Sequence, residues 1–165
     1  MPHILKNNLL EVYIDLPLEG YNFSRFDWTG KITQVVFQGH SVTTTERTDK
    51  VDADHFGKGL YNEFDIESAI GFEETHPGDW FHKIGVGALK KTTEPYQFTF
   101  PYETRPADFQ VEPLKEALRM SCTSENLNVY AYRLTKEFRI EGLCLILNYR
   151  LENTGQKAFA TNEYV

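Results

Sequence analysis

Residues 130–165 decide the fold. They read Tyr130-Ala131-Tyr132-Arg133-Leu134-Thr135-Lys136-Glu137-Phe138-Arg139-Ile140-Glu141-Gly142, then Leu143-Cys144-Leu145-Ile146-Leu147-Asn148-Tyr149-Arg150-Leu151-Glu152-Asn153-Thr154-Gly155, then Gln156-Lys157-Ala158-Phe159-Ala160-Thr161-Asn162-Glu163-Tyr164-Val165. Tyr130, Tyr132, Leu134, Lys136, Phe138 and Ile140 fall on alternate positions. Leu145, Leu147, Tyr149 and Leu151 do the same, interleaved with Ile146, Asn148 and Arg150. A period of two marks half-buried strands, because successive side chains point to opposite faces. Glu141-Gly142 and Asn153-Thr154-Gly155 carry turn chemistry. Three extended segments in an antiparallel meander are expected.

Working outward, the strand that ends Tyr149-Arg150-Leu151-Glu152-Asn153-Thr154-Gly155-Gln156-Lys157 follows a strand pair carrying Lys136, Ile140, Gly142 and Leu145. Arg25-Phe26-Asp27-Trp28-Thr29-Gly30-Lys31-Ile32 and Gly59-Leu60-Tyr61-Asn62-Glu63-Phe64 stand upstream. Together and in this order the motifs resemble the galactose mutarotase-like (aldose 1-epimerase) superfamily, in its uncharacterised bacterial branch. The resemblance spans nearly the whole chain. It implies an all-β fold, an antiparallel β-sandwich that is part of a mutarotase-like supersandwich. Residues 1–165 would form a single β-sandwich domain, incomplete relative to the family. In that family a carboxylate and a histidine open and close the sugar ring, one taking the anomeric proton and the other protonating the ring oxygen. The family's histidine follows the position of Tyr164 and its carboxylate comes later still, so catalytic residues within these 165 are unknown.

Composition sets the outer bounds. A length of 165 residues suits one domain. Hydrophobic residues at 41% and charged residues at 25% suffice for a core and exclude a disordered tail. The 12 Phe and 9 Tyr suit β-structure and also carbohydrate contact. A net charge of -7, with Lys90-Lys91 the longest basic run, argues against nucleic acid as a partner. No apolar run reaches about 18 residues, so no membrane span is read. Met1-Pro2-His3-Ile4-Leu5-Lys6 lacks a signal-peptide layout, and the chain reads as cytoplasmic. Cys122 and Cys144 lie in segments that look paired; a disulfide stays open, with a reduced pair preferred.

Taken in order, residues 9–16 predict a first strand and residues 31–38 a strong one rich in β-branched residues. Residues 41–45 suit one more strand, and the polar run 46–54 an exposed loop. Residues 55–74 show little periodicity and many polar groups, as functional irregular segments do. Residues 80–89 are strand-like but contain Gly85 and Gly87, which mark a bulge or a close approach of another group to the backbone. Residues 96–102 and 108–111 read as strands, and 121–126 as a short strand and turn. Residues 114–120 form the one helical stretch, with Pro113 at its first turn. The family branch offers paired strands there instead.

Several chemistries fall away. His3, His40, His55, His76 and His82 show no ligand spacing, and there is no Cys-x-x-Cys, so no zinc site is supported. Asp49, Asp52, Asp54 and the Glu73-Glu74 pair lack calcium-loop spacing and read as solvated. No nucleophile elbow is present, and Gly85-x-Gly87 is too short for a dinucleotide loop. No cofactor and no metal are implied. The resemblance places a pocket for a monosaccharide or sugar phosphate on the concave face of the sandwich. Its matching positions here are Lys58, Asn62, Glu63, His82, Lys83, Asn162 and Glu163. Each has a plainer alternative. Lys58 suits a solvated loop, Asn62 and Glu63 suit ties to loop backbone, and His82 suits an ordinary strand end. Lys83 has Asp79 as a nearby partner, and Asn162 and Glu163 lie at the chain end. Arg25 reads as an internal ion pair or cation–π contact, and Arg133 as exposed. A replacement acid–base pair, His82 with Glu63, is one route to catalysis. The competing functional reading is a non-catalytic structural or interaction protein that forms homo-oligomers through open sheet edges. A truncated frame without function of its own is the third.

Overall fold

The computed structural model describes residues 1–47 and 56–165. The sequence readings for Asp49, Asp52, Asp54 and His55, and most of the 46–54 loop, lie outside the described residues.

Alternation of apolar residues produces the strands, and the faces they share produce the layers. β1 (His3–Lys6), β2 (Leu10–Asp15), β3 (Lys31–Phe37) and β4 (His40–Ser41) form one antiparallel sheet in chain order. β9 (Asp108–Pro113), β10 (Ala117–Thr123), β11 (Tyr132–Glu141) and β12 (Cys144–Asn153) form a second antiparallel sheet, ordered β12-β11-β10-β9. Leu5, Val12, Ile14 and Ile32 of the first sheet meet Leu118, Met120 and Phe138 of the second in a shared core. The all-β, sandwich-like class expected from the sequence is what the chain adopts.

The second sheet is longer than the first and uses its remaining inward face on another layer. β6 (Trp80–Lys83), β7 (Gly87–Lys90) and β8 (Thr104–Pro106) make a three-stranded sheet. β5 (Glu63–Phe64) pairs with β13 (Glu163–Tyr164). Phe64, Ile70 and Ile84 pack against Cys122, Tyr132 and Leu134 in a second core. A third, aromatic cluster gathers Tyr21, Phe26, Trp28, Phe72, Phe81 and Tyr102.

Five sequence readings are corrected. Residues 114–120 are not a helix. Leu114 N donates to Ala117 O at 2.8 Å in a hairpin turn, and Ala117–Thr123 is β10, paired on both sides. Leu118, Met120 and Cys122 recur at period two and are all buried, so tertiary pairing overrides the helix propensity of Leu, Lys, Glu and Ala. Residues 96–102 are not a strand. Pro95 and Pro101 interrupt any ladder, and Tyr96, Phe100 and Tyr102 instead pack in the aromatic cluster. Residues 80–89 are a hairpin, not one run. A Cβ at Gly87 would collide with the Arg105 carbonyl, and one at Gly85 with the Asp27 carboxylate, so both glycines are the close approaches expected of them. Finally, residues 156–165 do not continue the meander. Gly155 N and Gln156 N turn back onto Ala131 O and Val129 O, and only Glu163–Tyr164 is extended, against β5. Of residues 41–45, only Ser41 joins a strand, and Thr45 bridges Lys58.

The two cysteines are free, Cys122 buried and Cys144 exposed. Cys122 stands opposite Leu134 and Cys144 opposite Glu141, which puts about 23 Å of β11 between them at strand rise. No bridge spans that. Burial pushes the Cys122 thiol up to about 12. A thiol reagent should therefore label one cysteine in the folded chain and a second only after unfolding. Two fast-reacting thiols in the native chain would contradict this placement.

Candidate functional site

The site is built around a lysine in an apolar row. Along β11 the inward positions are Tyr132, Leu134, Lys136, Phe138 and Ile140. Lys136 thus carries an ammonium between two cores, with its side chain only 1% exposed. A buried charge requires a counter-charge and hydrogen bonds. Asp27, also 1% exposed, supplies the ion pair through Oδ2, and Asn62 Oδ1 accepts from Lys136 Nζ at 2.7 Å. No further hydrogen bond reaches Asp27 Oδ2 among the described residues. Asp27 Oδ1 accepts Thr29 N at 2.6 Å. Asn62 Nδ2 passes the chain on to Glu163 Oε1 at 2.5 Å, and Tyr149 Oη donates to the same carboxylate.

A second polar cluster lies beside it. Lys83 is buried and donates to the backbone oxygens of Phe64 and Asp65 and to Tyr96 Oη, not toward the exposed Asp79. Burial pulls its ammonium down to about 8, against the opposing pull of Asp65. Asp65 accepts Ile84 N at 2.9 Å and the Thr161 hydroxyl at 2.8 Å. Asn162 Oδ1 accepts Ile66 N at 2.9 Å. The residues 161–163 are therefore pinned to the 62–66 segment by side chains, not left to fray.

The third group lies at the edge of the surface, with Glu63 buried, Arg25 largely covered and Glu46 exposed. Glu63 takes Arg25 in a two-point grip, Nε to Oε1 at 3.0 Å and Nη2 to Oε2 at 3.3 Å. Arg25 Nη1 also reaches Glu46 Oε2 at 3.2 Å, and its guanidinium lies 4.4 Å over the Phe26 ring. This matches the internal ion pair and cation–π contact read for Arg25, with partners the sequence did not reveal. A cleft of about 360 Å³ opens over Arg25, Glu46, Glu63 and Tyr61. It adjoins a larger cleft of about 580 Å³ lined by Asp15, Tyr21, Asn22 and Arg47. Lys58 and Tyr61 line both. Lys58 is exposed, held at the lip because its backbone bridges Thr45.

The seven sequence-derived positions are thus divided. Lys58 and Glu63 line the cleft. Asn62, buried, and Glu163, half-buried, form the relay behind it, with Lys83 and Asn162 in the adjoining cluster. His82 stands apart. It is 1% exposed, its Nε2 pairs with Tyr130 O at 3.0 Å, and burial lowers its pKa, so it is a neutral core histidine. With Glu63 gripped by Arg25 and His82 set against Tyr130, the two do not form an acid–base pair. Sequence reasoning missed Lys136, Asp27, Asp65 and Tyr149. The readable signal was a lysine in phase with an apolar row. Among the described residues no three of His, Cys, Asp and Glu group as a metal would need, and no helix is long and apolar enough to cross a membrane.

Two outcomes follow from the buried charges. Asp27→Asn strands the Lys136 ammonium and should cost about 3–5 kcal/mol by urea unfolding, and adding Lys136→Met should recover most of the loss. A single variant as stable as wild type would remove the ion pair from this role. Burial raises the Asp65 carboxyl from its ordinary 3.8 to about 6, against Lys83 and its two hydrogen bonds. The folded chain then binds this proton more tightly than the unfolded one. The associated stability is complete below about pH 4 and is lost as pH rises through about 6, a fall of about 3 kcal/mol. Asp65→Asn should flatten the pH profile of unfolding in that window; an unchanged slope would contradict it. No protein-family model, no curated protein and no solved structure matches this chain.

Proposed function

We propose that the chain is a carbohydrate-binding, aldose 1-epimerase-like protein that takes a monosaccharide or sugar phosphate in the cleft beside Glu63. The observation that carries this reading is the Glu46–Arg25–Glu63 clamp set against aromatic rings. Carboxylates fixed by a guanidinium keep unused lone pairs for sugar hydroxyls. Phe26 and Tyr61 meet edge to face 5.4 Å apart, and Tyr21 meets Tyr61 at 5.7 Å, which gives the apolar face of a pyranose a rigid wall. Lys58 at the lip supplies a mobile donor suited to a hydroxyl or a phosphate. A volume of about 360 Å³ falls within the range of about 300–1,000 Å³ usual for small-molecule sites.

The motifs Arg25-Phe26-Asp27-Trp28 and Tyr61-Asn62-Glu63-Phe64, on which the resemblance rests, are the same residues that form the clamp and the relay behind it. That coincidence supports the family reading over an unrelated β-sandwich. Ring opening needs an acid and a base at the anomeric centre. Glu63 is committed to Arg25 and His82 is buried, so the function proposed for these residues is recognition of the sugar.

Saturation-transfer NMR against a panel of free hexoses and hexose phosphates tests this. Transfer to at least one sugar is expected, with affinity reduced about tenfold in Lys58→Ala, the worth of one charged hydrogen bond. A panel in which no sugar receives saturation would overturn the reading.

A further inference from the structure

The free edge of β12 is the surface whose chemistry the cleft does not use. β12 pairs with β11 on one side and with no strand on the other among the described residues. The other sheet margins are blunted in the ways natural edges usually are. β9 ends at Pro113, follows Pro106 and carries Asp108 and Glu112, while β1 has four residues and β4 two. β12 has ten residues, no proline and no lysine, and its register against β11 runs unbroken from Cys144 to Asn153.

Its apolar row is not closed. Leu145, Leu147, Tyr149 and Leu151 stand opposite Ile140, Phe138, Lys136 and Leu134, so they share the inward face. Phe138 and Leu134 are fully buried, whereas the β12 row is only partly covered and Tyr149 is 40% exposed.

We propose that the strand completing this row is β12 of a second copy, antiparallel, with Asn148 facing Asn148 across a two-fold axis. The backbone sets the parity. Ser124 N donates to Tyr132 O at 3.0 Å and Thr154 N to Ala131 O at 3.0 Å. Odd-numbered residues of β11 therefore bond to even-numbered residues of β12, and the odd-numbered residues of β12 aim their N–H and C=O groups at the free edge. A register centred on Asn148 makes those odd residues the hydrogen-bonded pairs. It sets Leu145 against Leu151 and Leu147 against Tyr149, so every inward pair is apolar. On the outer face it sets Ile146 against Arg150 and Cys144 against Glu152, so no like charges meet. The next register, centred on Tyr149, would put Asn153 against Leu145 in the apolar row. The strand holds one arginine and one glutamate, which makes it a neutral edge on a chain of net charge -7. The contact is isologous and closes as a dimer.

Sedimentation of the full chain over a concentration series tests the proposal. Wild type should pass from monomer to dimer. Asn148 is exposed, so its variants should keep the native far-ultraviolet spectrum. Asn148→Lys and Asn148→Asp should each lose the dimer, and their equimolar mixture should regain it as a heterodimer. In a Cys144→Ser background, Asn148→Cys should crosslink under mild oxidation, since a non-hydrogen-bonded pair brings Cα atoms to about 4.5 Å, within disulfide reach. A chain monomeric at every concentration, leaving the edge to another partner, overturns the proposal. So does a dimer indifferent to both charge variants, or a cysteine variant that does not crosslink.

Discussion

A buried ammonium in the middle of β11 constrains the rest of this molecule. Lys136 cannot reach water from its place between two hydrophobic cores, so its neighbours must answer it. Asp27 does so, and the backbone around Asp27 is fixed by what that requires. Asp27 N donates to Asn62 O and Trp28 N to Gly85 O, each at 2.9 Å. Gly85 is needed because any side chain there would strike the Asp27 carboxylate. Three segments distant in sequence are thereby locked to one strand. Glu163, reached through Asn62, extends the lock to β13.

The second sheet is the common wall. Its Leu118, Met120 and Phe138 close one core with the first sheet, and its Cys122, Tyr132 and Leu134 close another with β5 and the turn at Ile84. The polar relay runs along the seam between the two. Buried ion pairs add little net stability compared with apolar groups of the same shape, but a broken one is costly. Their effect here is to specify which segments meet.

That specification reaches the surface at the cleft. Glu63 neighbours Asn62 in sequence, so the segment that places Asn62 on Lys136 also places Glu63 on Arg25. The clamp over Phe26 is rigid because its backbone is part of the lock behind it. Preorganised donors and acceptors are what a sugar-sized ligand needs, since ordering them on binding would cost affinity. The β12 edge is the opposite case, an apolar row whose far side is left uncovered.

The strands were largely legible because their signals are local: β2, β9, β11 and β12 show alternation in their side chains, and β3 is rich in β-branched residues. So were the glycine approaches at Gly85 and Gly87, because a missing side chain in a strand has few other uses. Residues 114–120 misled because helix propensity is a weak local preference, and pairing with two neighbouring strands outweighs it. Lys58, Asn62, Glu63, Lys83, Asn162 and Glu163 were visible as residue types, but their division into a lip, a relay and a second cluster was not. His82 was as plausible a ligand as any until its ring was found against Tyr130. Sequence by itself determined the strand periodicity of residues 130–153, their antiparallel pairing and the acidic composition, since these follow from local pattern and residue count, while the all-β class was what the family resemblance implied. Only the tertiary structure decided that Lys136 meets Asp27, that Arg25 meets Glu46 and Glu63, and that the last segment pairs with β5. Those contacts join residues far apart in the chain, and no local preference encodes which buried charge will find which partner.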